Sequence, residues 1–205
     1  SRYGDITGRR VLELGPLEGA HTFMLDRAGA DVTAVEANRR AFLKCLITKE
    51  IVGLPRSRFL LGDFLPWLEQ NETRWDFVVA CGVLYHMRDP LRLLMAIAAR
   101  TDAAFIWTHY IEESGADSAI GSNRDYDAVR ESLTFRGEVL TAYRRPYLGA
   151  DRKAEFCGGV YDNPRWLARS SILRALEMLG FTSLEISHDF RDHPNGPCFS
   201  IFARR

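Results

Sequence analysis

Between positions 13 and 19 the chain reads Glu13-Leu14-Gly15-Pro16-Leu17-Glu18-Gly19, after a short apolar run and before a helical one. Two glycines there allow a tight turn on which the backbone can come close to a ligand. The helix N-terminus that follows offers unpaired N–H groups to a carboxylate. Glu36 ends a second, β-branched run 21 residues after Gly15. A carboxylate at that point can accept both hydroxyls of a ribose. Asp63 ends a third run, where it can accept from an adenine amine, and Phe64 beside it can flank the ring. Each feature alone is weak, because an acidic residue after a strand often caps the next helix. Together they offer a turn, a ribose acceptor and an adenine acceptor along one edge of a sheet. The glycines do not follow G-x-G-x-x-G, the pattern of a nicotinamide pyrophosphate site, and no G-K-[ST] follows Gly19 to make a phosphate loop.

Two further pairs carry side chains able to move a proton. Tyr85 and His86 follow a fourth apolar run, and His109 and Tyr110 follow a fifth. Histidine titrates near neutrality. His86 is the first candidate general base and His109 the second; Tyr85 is either catalytic or a wall of the pocket. Plainer roles compete: His86 can cap a helix or fill a polar pocket, and His109 can do the same. His193 lies in a turn-rich stretch near the end, so three histidines approach one edge. Their spacings match no metal-ligand pattern, and no metal is expected. His21 is expected to cap the first helix and His188 to face solvent.

These residues need a frame, and the chain supplies one. Strand signals at Arg10–Leu14, Asp31–Val35, Arg58–Leu61, Asp76–Cys81 and Ala103–Thr108 alternate with helical ones. The helices run from about His21 to Ala28, from Asn38 as a cap to Gly53, and from Pro90 to about Arg100. Such alternation predicts a parallel sheet covered on both faces. From His109 to about Arg165 no clean period is visible. That stretch reads as an insertion after the fifth strand that folds over the sheet edge. Its aromatics, Tyr126, Phe135, Tyr143, Tyr147, Phe156, Tyr161 and Trp166, can line a lid or form the insertion's own core. Arg124, Arg144 and Arg145 can bind an anionic acceptor or simply solubilise the surface. A helix then runs from Ser170 or Ser171 through Leu179. Two strands follow, Leu184–His188 and Cys198–Ala203.

The whole, 205 residues, is expected to be a single domain with residues 109–165 as a cap inserted within it. Twenty-seven basic residues balance 27 acidic ones, so no overall field draws the chain to nucleic acid or to a membrane surface. No run is long enough for a membrane span and no signal-peptide pattern opens the sequence. Cys45, Cys81, Cys157 and Cys198 form no CxxC pair and sit among apolar neighbours, which suggests free thiols and a cytoplasmic location.

On the segments Val11 to Gly19, Val35-Glu36-Ala37-Asn38, Gly62-Asp63-Phe64 and Phe77 to His86, the sequence resembles the class I S-adenosylmethionine-dependent methyltransferases. The resemblance covers roughly residues 8 to 108 and resumes over 168 to 203. It implies a Rossmann-like three-layer α/β sandwich whose seven-stranded, mostly parallel sheet has its last strand antiparallel. It also implies S-adenosylmethionine as cofactor, with S-adenosylhomocysteine as product. Glu13, Gly15 and Gly19 would then border the methionine moiety, and Glu36 with Ala37 the ribose. Asp63 and Phe64 would address the adenine, and Cys81 and Gly82 the region of the sulfonium. Gly82-Val83-Leu84-Tyr85-His86 followed by Pro90 looks like the same segment of the tRNA wobble-uridine carboxymethyltransferases.

The expected function is methyl transfer to a small-molecule acceptor. The alternatives are methyl or carboxymethyl transfer to RNA, and a non-catalytic module that binds S-adenosylmethionine. No membrane partner is expected, and the sequence leaves the oligomeric state open.

Overall fold

A computed structural model describes residues 4–112, 128–147 and 158–205. Ten strands and five helices lie in it. β1 (Arg10–Leu14), α1 (Ala20–Arg27), β2 (Asp31–Glu36), α2 (Arg39–Val52), β3 (Ser57–Leu61), α3 (Phe64–Gln70) and β4 (Phe77–Cys81) form the first half. A single 3-10 turn (Leu84–His86), α4 (Pro90–Arg100) and β5 (Ala103–His109) follow. β6 (Val129–Phe135), β7 (Glu138–Arg144) and β8 (Arg165–Leu167) come next, then α5 (Arg169–Met178), β9 (Ser183–Phe190) and β10 (Cys198–Arg204).

The main sheet has seven strands in the order β3-β2-β1-β4-β5-β10-β9. β10, the last in sequence, runs antiparallel to both β5 and β9, as the resemblance implies. β4 is buried along its length between β1 and β5, which suits its unbroken Phe77-Val78-Val79-Ala80 run. Side chains alternate across the sheet. Leu12, Leu14, Val78, Ala80 and Ile106 pack with α3, α4 and α5 on one face. Val11, Val32, Val79 and Phe202 gather with Leu25 of α1 on the other. Ala34 and Phe59 meet Cys45 of α2 beside them.

Caps fix where the helices begin. Asn38 Oδ1 accepts from the Arg40 and Ala41 amides, as the sequence predicts, and Asp89 accepts from Arg92 N ahead of Pro90. α3 is an element that sequence reasoning did not anticipate: Asp63 caps it through Leu65 N (3.0 Å), and Phe64, Leu65 and Leu68 are buried. His21 makes no cap; α1 begins after Gly19 without a side-chain bond.

The stretch after β5 is more ordered than its sequence suggests. β6 and β7 form an antiparallel hairpin closed by Arg136 (φ 48°) and Gly137 (φ 87°), and β8 pairs with β7. Most of β6 is exposed, so the alternation that marks a half-buried strand is diluted. Phe135, Leu140, Ala142 and Leu167 of this three-stranded sheet join the core shared with α4 and α5. Backbone bonds tie it down, from Arg165 N to Met87 O (2.9 Å) and from Arg169 N to Ile111 O (3.0 Å). Tyr126, Phe156, Arg124 and Cys157 lie outside the described residues. Cys45, Cys81 and Cys198 are free thiols. No helix among the described residues is long and apolar enough to cross a membrane.

Candidate active site

The carboxyl ends of β1 to β5 meet at one edge, and a cavity of about 540 Å³ opens there. Gly15 forms its floor. With φ +65° and a position where an added Cβ would lie 2.5 Å from Val83 Cγ1, that site admits glycine alone. Glu36 is 7% exposed, and both of its oxygens are engaged by backbone: Oε2 accepts from Leu17 N (2.9 Å) and Oε1 from Asn38 N (2.8 Å). Those bonds aim the carboxylate and leave each oxygen a lone pair for a hydroxyl donor. Burial raises its pKa against the pull of those amides.

Ala37, Asp63, Phe64, Cys81 and Gly82 line the same cavity, so seven of the nine sequence-predicted cofactor residues converge. Glu13 and Gly19 do not line it. Gly19 turns the chain into α1, beside Phe59 and Thr48. Glu13 is 1% exposed; its Oε2 accepts from the Thr22 hydroxyl, and its Oε1 has no hydrogen-bond partner. Burial pushes the Glu13 carboxyl up to about 7. His21, on the cavity wall, brings Nδ1 to 3.9 Å from that Oε1.

At the other end the walls are Tyr85, His86, Met87, Phe105 and Trp107. Burial, with His109 nearby, pushes the His86 pKa down to about 4, so its imidazole is neutral around pH 7. His86 Nδ1 lies 2.9 Å from the Tyr147 hydroxyl, which also accepts from Gly159 N (3.0 Å). The Tyr147 oxygen can serve either histidine tautomer, accepting from Nδ1–H or donating to Nδ1. His109, 4% exposed, stands behind Tyr85, with ring centroids 4.7 Å apart. It does not line the cavity. Its Nδ1 faces the carbonyls of Gly196 (2.8 Å) and Pro197 (3.2 Å), which fixes the proton there and the lone pair on Nε2. Trp166 stacks flat on the same ring, and the Arg145 guanidinium lies 3.8 Å above the Trp166 centroid. Arg144 instead pairs with Glu131 (3.1 Å). Burial raises the Cys81 thiol to about 12, so it is no nucleophile.

Residues 158–161 close the cavity from the far side. Tyr161 donates to Asp63 Oδ2 (3.1 Å), and Gly159 packs against the His86 backbone. His188, exposed at the rim, also lines the cavity rather than only facing solvent. Gly159, Met87 and Trp107 were not singled out by sequence reasoning. The Gly158-Gly159 pair was the available signal, and Trp107 shares its sheet face with Phe105.

Residues 12–100 match the family described as "Methyltransferase domain". The chain is similar to that family over this stretch. The N-terminal domain of EvdMO1, solved with S-adenosylhomocysteine bound, superposes on it with a TM-score of 0.71 at 26% identity, over 96% of this chain and 74% of that one. Magnesium-protoporphyrin O-methyltransferase of Rhodobacter capsulatus is 35% identical over 109 residues, 51% of this chain and 46% of that protein. The tRNA U34 carboxymethyltransferase of Pseudomonas fluorescens strain SBW25 is 31% identical over 94 residues, 45% of this chain and 29% of that protein. The chain thus spans less than half the length of these two curated relatives. The seven-stranded sheet of the chain is Rossmann-like, as in the EvdMO1 domain, and the cavity occupies the edge where α/β sheets bind ligands.

Proposed function

We propose that this chain is an S-adenosylmethionine-dependent methyltransferase acting on a small-molecule acceptor. The observation that carries this reading is one continuous cavity with nucleoside-type acceptors at one end and a neutral histidine at the other. The residues fit the cofactor. Gly15 makes the left-handed turn with Val83 packed where a Cβ would lie, Glu36 presents an aimed carboxylate, and the Oε1 of Glu13, buried without a hydrogen bond, lies 3.9 Å from His21 Nδ1 on the cavity wall.

S-adenosylmethionine, when bound, supplies a methyl group on a sulfonium, open to in-line displacement. The chain's share of the work is positioning and exclusion of water. Glu36, Asp63 and Phe64 orient the nucleoside. Tyr85, Phe105 and Trp107 form an apolar wall against which an acceptor is held. His86 takes up the acceptor's proton as the nucleophile loses it, and Tyr147 holds the ring in place through Nδ1. His109, kept in one tautomer by the two carbonyls, backs Tyr85 and is the second candidate base. Within the stretch after β5, Tyr147 supplies the acceptor cap at His86, and residues 158–161 extend it over the adenine end.

Transfer to RNA is the second reading, favoured by the tRNA U34 carboxymethyltransferase likeness. A carboxylated cofactor calls for a cationic side chain near the sulfonium, and no Lys or Arg lines the cavity among the described residues.

Native mass spectrometry of the purified chain, with release of any bound nucleoside, tests the cofactor directly. S-adenosylmethionine or S-adenosylhomocysteine is the expected occupant, with calorimetric binding weakened by about 1–3 kcal/mol in Glu36→Ala. A chain that binds neither overturns the reading. Capture of the carboxylated analogue, with salt-sensitive tRNA binding, would favour the second.

A further inference from the structure

The hairpin between β9 and β10 brings a second constellation against the end of β5. His109 closes β5 and Cys198 opens β10, and the two are cross-strand partners. His193 lies on the connecting loop. Its ring is 5.1 Å from that of His109, centroid to centroid. One ligand atom from each of His109, His193 and Cys198 lies within 4.8 Å of the other two. We propose that these three side chains form a site for a zinc-class divalent cation beside the acceptor end of the cavity.

The donor set argues for that class. Two imidazoles and a thiolate suit borderline cations such as Zn²⁺ and Co²⁺, whereas Mg²⁺ and Ca²⁺ prefer oxygen donors. The surroundings argue for a built site. His109 and Cys198 are 4% and 2% exposed, while His193 is partly exposed and leaves a route for entry. His109 is already held as metal-bound histidines commonly are, with one ring nitrogen donating to backbone carbonyls and Trp166 flat against its face. On binding, the Cys198 thiol gives up its proton to solvent and its sulfur becomes the anionic ligand. Three protein donors leave a fourth position of a tetrahedral ion for water or another ligand, and Tyr85 of the cavity wall is the neighbouring ring. A bound cation takes the Nε2 lone pair of His109 and leaves His86 as the candidate base, and the test reads cation binding rather than turnover.

The test is titration of the full chain with Co²⁺, after treatment with a chelator and under exclusion of oxygen. The expected result is one cobalt per chain, a thiolate-to-cobalt charge-transfer band in the near ultraviolet and visible bands of tetrahedral intensity, all bleached by Zn²⁺. Cys198→Ser should lose the charge-transfer band. His193→Ala, which also removes the turn bond that Nδ1 accepts from Asn195 N (3.1 Å), should weaken cobalt binding at least tenfold. Circular dichroism checks the fold of both variants. Failure of the wild-type chain to take up cobalt, persistence of the band in Cys198→Ser, or unchanged affinity in His193→Ala overturns the proposal.

Discussion

Tyr147 and His86 share a hydrogen bond of 2.9 Å although 61 residues separate them. The same hydroxyl accepts from Gly159 N, so one phenol oxygen joins the turn after β4 to both borders of the segment after β7. Tyr147→Phe would leave a histidine nitrogen and a backbone amide without that partner. The expected outcome is a loss of about 1–2 kcal/mol in kcat/KM for the acceptor, roughly five- to thirtyfold, with cofactor affinity unchanged. Steady-state kinetics and calorimetry on the same preparation check it. An equal loss in cofactor binding would mean that Tyr147 supports the whole cavity rather than His86.

Gly159 gives a steric version of the same test. A Cβ there would sit 2.7 Å from the His86 carbonyl oxygen and 3.3 Å from its Cβ. Backbone cannot yield as a flexible side chain does, so Gly159→Ala should displace the cap from the turn that carries His86. Turnover is expected to fall by at least tenfold while Glu36 and Gly15 keep their cofactor geometry. Retained turnover would show that the cap tolerates the shift and has no part in holding the acceptor.

The parallel half of the fold was legible because burial there is nearly complete and the residues alternate between two apolar faces. Val11 and Leu12 point into different cores, and both positions demand apolar side chains. That Gly15, Glu36 and Asp63 meet at one end of the cavity was legible too, since each lies at or just beyond the close of a strand recognisable from its own sequence. The opposite end was not. His86, Tyr147, Gly159 and Tyr161 come together only through pairing of the three-stranded sheet with the turn after β4, through contacts such as Arg165 N to Met87 O. No local period encodes that meeting. The β6–β7 hairpin escaped notice because its outer strand is mostly exposed. α3 escaped because Asp63 was read as an adenine acceptor, whereas its Oδ1 caps the helix.

The double use of Asp63 yields a third prediction. Oδ1 caps α3 while Oδ2 accepts from Tyr161, which is 49% exposed. Asp63→Ala removes the cap and should lower stability by about 1 kcal/mol, together with a loss of cofactor affinity. Tyr161→Phe removes only an exposed bond, so stability should stay within about 0.5 kcal/mol of wild type. Thermal unfolding and calorimetry of the two variants separate the roles. A drop in stability for Tyr161→Phe as large as that for Asp63→Ala would mean that the segment after Gly158 is part of the folding core.

Glu13 and His86 make opposite demands on pH. Burial lifts Glu13 from its usual value to about 7, so its favourable contribution is present below about pH 4.5 and is lost as pH rises through 7. Burial lowers His86 to about 4, so the unfolded chain binds the extra proton below about pH 6.5 and stability is lost as pH falls through 4. Between about pH 4.5 and 6.5 the unfolded chain holds a proton on His86 and the folded chain holds one on Glu13, and the two slopes cancel. Single variants should expose each slope. Relative to wild type, Glu13→Gln should become more stable as pH rises across that window, and His86→Gln less stable, each by up to about 1.4 kcal/mol per pH unit. Denaturant unfolding at several pH values measures both differences. Parallel curves for wild type and Glu13→Gln would mean that Glu13 stays ionised in the folded chain, which would point to a cation held at its free oxygen.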